Sequence, residues 1–273
     1  MPTELIYPIA MLAGFGLALG IGLAIAAKVF AVEVDPRVEA IEKLLPGANC
    51  GGCGFPGCSG YAEAMVLAGA SPSLCPAIKA PEQKKVGEVL GVVVEERAPM
   101  MAVIRCAGKV SSENFKYDYM GEPDCATAVL LAGGPNPCRY GCLGMGSCVK
   151  ACPFGAMTLR PDLPPIVDPE KCVACGKCVS ACPKALITLM PVDRQIIVMC
   201  SSLDKGKPVK DLCAVGCIAC GLCAKKCPET AITMERNLPV IDYAKCTSCG
   251  TCAEVCPQNS ILDKNKITVA AGV

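Results

Sequence analysis

The chain opens on an unbroken apolar run. Residues 6–27 contain no charge and offer no polar face at helical spacing. At 1.5 Å per residue, a helix of that length crosses a hydrocarbon core of about 30 Å. The pattern then breaks into short segments. An amphipathic helix is expected over residues 36–45. A second begins at Ser59 or Gly60, runs to Leu67 and stops at Gly69. Farther on, short β-rich stretches pair up in sequence: 156–159 with 165–167, and 231–234 with 239–241. None of these segments is long enough to bury a large core alone.

A cleaved leader is the rival reading of the first helix. Three features oppose it: Met1–Thr3 carries no Lys or Arg, Glu4 precedes the run, and the run is longer than an ordinary leader core. The flanking charges orient the helix. Lys28, Arg37 and Lys43 all lie after it. Positive flanks stay in the cytoplasm, so a single-pass protein of the inner (plasma) membrane is expected, with its body on the cytoplasmic side and lipid around the helix. Gly14, Gly16, Gly20 and Gly22 offer small residues for close helix approach.

Composition changes the picture of the body. There are 24 Cys, no His and no Trp in 273 residues, and the net charge is +1. Without His there is no Cys₂His₂ finger, Rieske centre, His-ligated haem or imidazole catalyst. Near-neutral charge gives no reason to expect nucleic acid as a partner. In a reducing cytoplasm so many thiols point to metal rather than disulfides.

Spacing identifies the metal chemistry. Cys50, Cys53, Cys58 and Cys75 form C-x2-C-x4-C-x16-C, with Gly51, Gly52, Gly54 and Gly57 bending the chain among them. A zinc Cys₄ site ordinarily uses two C-x2-C knuckles, and this stretch has one. Three complete bacterial ferredoxin motifs follow: Cys172, Cys175, Cys178, Cys182; Cys217, Cys220, Cys223, Cys227; and Cys246, Cys249, Cys252, Cys256, each ending in Cys-Pro. In this motif three cysteines hold one [4Fe–4S] cluster and the fourth serves the partner cluster. A fourth run, Cys142, Cys148 and Cys152, has Met145 where a cysteine belongs. Cys142, Cys148 and Cys152 recur 75 residues later as Cys217, Cys223 and Cys227, so residues 138–190 and 213–266 read as a duplication.

Five cysteines remain: Cys106, Cys125, Cys138, Cys200 and Cys213. One must complete the run that carries Met145, and four could hold a further cluster. In a symmetric assignment Cys106 fills the gap, and Cys125, Cys138, Cys200 and Cys213 lie between the copies. In a local assignment Cys138 fills it, and Cys106 joins the other three. Some of the five could equally be buried structural thiols. The expected cofactors are five to six [4Fe–4S] clusters per chain.

The segments NCGGCGFPGC, AGGPNPCRYGCLGMGSCVKACPFGA and KCVACGKCVSACPKAL resemble the B subunit of the Rnf complex, a membrane assembly that couples ferredoxin and NAD to ion pumping. The resemblance implies a membrane-anchored relay that accepts electrons from soluble ferredoxin and passes them to partner subunits of an ion-translocating complex. A membrane-tethered polyferredoxin without a fixed complex is the alternative. The fold class expected is α+β: a transmembrane helix at 1–30, a small helical 4Fe–4S module at 31–80, a connection with extra ligands at 81–137, and ferredoxin-like two-cluster units at 138–192 and 193–273. No G-x-G-x-x-G after a strand and no P-loop occurs, so no stand-alone NAD activity and no catalytic residue is expected. An acidic ferredoxin would meet Lys205, Lys207 and Lys210, or Lys225 and Lys226.

Overall fold

The computed structural model describes residues 3–30, 35–94, 98–111, 113 and 115–264, without the side chains of 3–6 and 8. Helix α1, Thr3–Val29, stands apart, and its apolar stretch Ile9–Val29 is wholly unburied and long enough to cross a membrane. Nothing approaches within 4 Å of where a side chain would start at Gly14, Gly16, Gly20 or Gly22, so the glycine face lies open.

Three helices build the first cysteine module: α2 Pro36–Leu44, α3 Cys58–Leu67 and α4 Ala80–Leu90. Asp35 caps α2 by accepting from Arg37 N–H at 2.9 Å, and Pro36 supplies a ready-made helical φ. Val38, Ile41, Leu45, Tyr61, Ala62, Met65 and Val86 form the core between them. Tyr61 Oη donates to Ser71 O at 2.6 Å and accepts from Leu74 N–H at 3.2 Å. Burial pushes that phenol up to about 12, so it stays a donor. These two bonds hold the loop that presents Cys75.

The body holds two matching units. The first contains β1 Met100–Ile104, α5 Cys125–Leu130, α6 Ser147–Lys150, β2 Met157–Arg160, β3 Leu163–Val167, α7 Lys177–Ser180 and β4 Ile187–Pro191. The second contains β5 Ile196–Val198, α8 Lys207–Leu212, α9 Leu222–Lys225, β6 Ile232–Glu235, β7 Leu238–Ile241, α10 Thr251–Glu254 and β8 Ile261–Asp263. Among the described residues the four sheets are antiparallel pairs: β1 with β4, β2 with β3, β5 with β8, β6 with β7. The expected pairs at 156–167 and 231–241 thus form, beginning one residue later at the first strand. Residues 100–104, read from the sequence as part of a connection, instead close the first unit by pairing Ile104 with Ile187. Met101 and Val103 of β1 pack on Ile197 of β5, which joins the two units.

Candidate metal centres

Each ferredoxin run folds the same way, because each must wrap three thiols about one point. A residue at positive φ stands just before the second cysteine: Ala174 at 55°, Ala219 at 58° and Ser248 at 57°. Gly144 at 73° holds that place before Met145, so the run keeps its shape without its cysteine. A left-handed conformation is costly for a non-glycine residue, of order 1 kcal/mol, and recurs here because the loop demands it. A four-residue helix then carries the third cysteine: Cys148, Cys178, Cys223 and Cys252, all buried.

These loops leave four hollows, each lined by four cysteines. Numbered by their order in space, centre II is lined by Cys152, Cys172, Cys175 and Cys178, and centre III by Cys125, Cys142, Cys148 and Cys182. Centre V is lined by Cys217, Cys220, Cys223 and Cys256, and centre VI by Cys227, Cys246, Cys249 and Cys252. In every one the fourth cysteine comes from the partner run, the crossed arrangement of a two-cluster ferredoxin.

The lining of centre III differs from both assignments offered by the sequence. Neither Cys106 nor Cys138 lines the hollow of the run with Met145; Cys125 does. Asp124 caps α5 by accepting from Thr127 N–H at 2.9 Å, which sets Cys125 at the first position of that helix. The extra cysteines Cys106, Cys138, Cys200 and Cys213 make a different group, centre IV. The Cys213 and Cys106 sulfurs lie 3.1 and 3.9 Å from where a Cβ would stand at Gly108. Burial raises Cys106, Cys138 and Cys213; the charges of Cys138 and Cys213 raise Cys106 further, those of Cys200 and Cys213 raise Cys138, and that of Cys200 raises Cys213. Centre I, Cys50, Cys53, Cys58 and Cys75, lies in the helical module, where Cys75 is raised by burial and then by Cys53 and Cys50.

Centre IV has a two-fold logic that the spacing concealed. Cys106 stands two residues beyond the end of β1, and Cys200 two beyond the end of β5. The Cys142 amide faces the Cys106 sulfur. Correspondingly, the Cys217 N–H donates to Cys200 Sγ at 3.3 Å. The two segments run side by side, tied by Ala107 N–H to Met199 O at 3.1 Å and Ser201 Oγ–H to Arg105 O at 3.0 Å.

Thiols in fours fit cubane clusters. Among the described residues, no group of three or more His, Cys, Asp or Glu closes on a position for a single metal ion. Amide donors already point at the sulfurs: Ala102 to Cys172 at 3.4 Å, Gly144 to Cys142 at 3.4 Å, Ala156 to Cys152 at 3.4 Å, Leu186 to Cys182 at 3.5 Å and Ser260 to Cys256 at 3.3 Å. Such bonds favour the thiolate and raise a cluster's potential. Without metal, burial first and then Cys106, Cys125 and Cys148 push Cys142 up to about 12. Metal binding there must displace a proton. Cys220 and Cys249 are the exposed thiols of the set.

The match to known proteins follows the same division. An Fe-S cluster family model covers residues 45–77, and a 4Fe-4S dicluster domain model covers 137–186 and 216–260. The chain is 46% identical to the B subunit of the Na(+)-translocating ferredoxin:NAD(+) oxidoreductase complex of Acetobacterium woodii, over 90% of this chain and 74% of that one. It is 46% identical to the B subunit of the ion-translocating oxidoreductase complex of Methanosarcina acetivorans, over 79% of this chain and 82% of that one. It is 47% identical to the B subunit of the proton-translocating ferredoxin:NAD(+) oxidoreductase complex of Clostridium ljungdahlii, over 84% and 81%.

Proposed function

The chain belongs to the family of B subunits of Rnf-type ion-translocating oxidoreductase complexes, and from that premise we propose that it relays electrons from reduced ferredoxin through six [4Fe–4S] clusters to the other subunits of its complex. It is an iron–sulfur electron-transfer subunit of a membrane-associated, ion-translocating complex. When bound, each cluster takes up and gives back one electron.

The order of the thiol sets carries the reading. Cys50 of centre I acts electrostatically on Cys175 of centre II. Cys178 of centre II and Cys182 of centre III both act on Cys148. Cys142 of centre III abuts Cys106 of centre IV, and Cys217 of centre V abuts Cys200 of centre IV. Helices α9 and α10 bring centres V and VI together. These neighbour contacts support a relay of six sets that crosses both units and ends at the helical module. The protein's contribution is to fix spacing, exclude water and supply sulfur-directed amides. It has no stand-alone NAD turnover.

Ferredoxin reaches the second unit. Centres V and VI hold the exposed thiols, and Gly206 N–H binds Ile218 O at 3.0 Å, which lays α8 beside centre V. Lys205, Lys207 and Lys210 are exposed along that segment. Opposite charge there speeds encounter with an acidic donor. Helix α1 lies in lipid of the inner membrane and holds the body on the cytoplasmic side.

The test is stopped-flow bleaching of the loaded full chain by reduced ferredoxin. Charge reversal at the three lysines is expected to slow bleaching and flatten its salt dependence, with reduction by a small neutral dye unchanged. A native rate in the triple variant at low salt would refute this docking site.

A further inference from the structure

We propose that Gly52 is a positioning residue for electron transfer: by having no side chain, it lets the centre I loop seat directly on the Cys175 backbone of centre II. The inference rests on the relay reading above and adds the residue that fixes one of its gaps.

The glycines around it have a conformational reason to be glycine. Gly51, Gly54 and Gly57 lie at φ 69°, 88° and 149°. Gly52 is not among the positive-φ residues, so its backbone would accept any L side chain. Its surroundings would not. A Cβ at Gly52 would stand 3.0 Å from Cys175 O, 3.2 Å from Cys175 Cα and 3.1 Å from Pro76 Cγ. A carbonyl and a Cα cannot rotate aside as a side-chain tip can, so the loops themselves would have to part.

Both loops bear ligands. Gly52 lies between Cys50 and Cys53, and Cys175 itself lines centre II. Any parting at this contact therefore moves one thiol set away from the other. Two further observations mark the same junction. The charge of Cys50 acts on the Cys175 thiol, and Lys177 Nζ lies 3.9 Å from where a Cβ would stand at Gly51. One electron crosses here at a time. The side that gives it is oxidised by one, the side that receives it is reduced by one, and no bond or proton moves.

The test uses the full chain, anaerobically loaded, as Gly52→Ala and Gly52→Val. Iron and sulfide content are expected to stay native. In the fully reduced protein, the magnetic interaction between the centre I and centre II spins, read by EPR, is expected to weaken with Ala and to weaken further with Val. Reduction of centre I should slow severalfold in step. Gly60→Ala is the control, because its Cβ would meet Pro56 Cγ at 3.3 Å inside the module and leave Cys175 alone; its interaction should be native. Native splitting and rate in Gly52→Val would overturn the proposal. So would recovery in Gly52→Ala with Pro76→Ala, since that pair relieves only the module's own crowding. Absence of any interacting centres in the unsubstituted protein would instead sink the relay reading, and this inference with it.

Discussion

Ser147 holds Cys125 in place across the gap that Met145 leaves. Its hydroxyl accepts from Cys125 N–H at 2.7 Å and donates to Asp124 Oδ1 at 2.7 Å. Ser147 is buried and opens α6, one residue before the centre III thiol Cys148. A single side chain therefore ties a distant helix start to the run that lacks a cysteine. The same hydrogen bond, followed by the Thr127 amide, holds the Asp124 carboxyl below its ordinary range.

Ser147→Ala should accordingly release Cys125. Without that hydroxyl, the half-buried Cys125 N–H and Asp124 carboxylate both lose the partner that links them to α6. Centre III is expected to be lost or loosened, and iron and sulfide to fall by up to four each per chain. Ser147→Thr keeps the hydroxyl and should keep the metal. Full iron content in Ser147→Ala would show that the clamp does not deliver Cys125.

Cys106→Ser and Cys125→Ser should damage different centres. The EPR signal lost in Cys106→Ser is expected to match the one lost in Cys138→Ser and Cys213→Ser. That lost in Cys125→Ser should match the one lost in Cys148→Ser. A shared signal for Cys106 and Cys125 would undo both assignments.

The ferredoxin runs, the helical module and the apolar helix were all legible in the sequence, because each rests on a local pattern. Cysteine spacing, glycine punctuation and apolar periodicity need no knowledge of the far chain. The grouping of the thiols at centres III and IV was not legible, for a definable reason. Cys138 and Cys213 are 75 residues apart, which suggested that Cys125 answers to Cys200. The strands show that Cys106 answers to Cys200, 94 residues away. The first unit holds 19 extra residues between β1 and its ferredoxin run, and α5 with Cys125 lies on that excursion. Only the pairing of β1 with β4, a contact between residues far apart in sequence, reveals the true register.

Lys184 should tune centre III. It lines that hollow and is pinned by donating to Arg139 O at 2.6 Å. A fixed positive charge favours the more negative, reduced state of a nearby centre. Lys184→Gln is therefore expected to lower the midpoint potential of centre III in an EPR redox titration. An unchanged or higher potential would contradict this.

Deleting residues 1–30 should abolish membrane association and leave a brown, soluble protein. All 24 cysteines lie downstream of α1, and the core of α2, α3 and α4 uses no residue from it. Vesicle flotation and iron analysis check the two halves of this expectation. Loss of all iron in the truncated chain would show that α1 is part of the metal-bearing fold.

Anaerobic iron, acid-labile sulfide and zinc analysis of the full chain tests the six-centre relay most directly. Six thiol sets of four should bind about 24 iron and about 24 sulfide per chain, with no stoichiometric zinc. A reproducible value near 20 of each would remove one centre from the row. Zinc in place of iron would contradict the relay altogether.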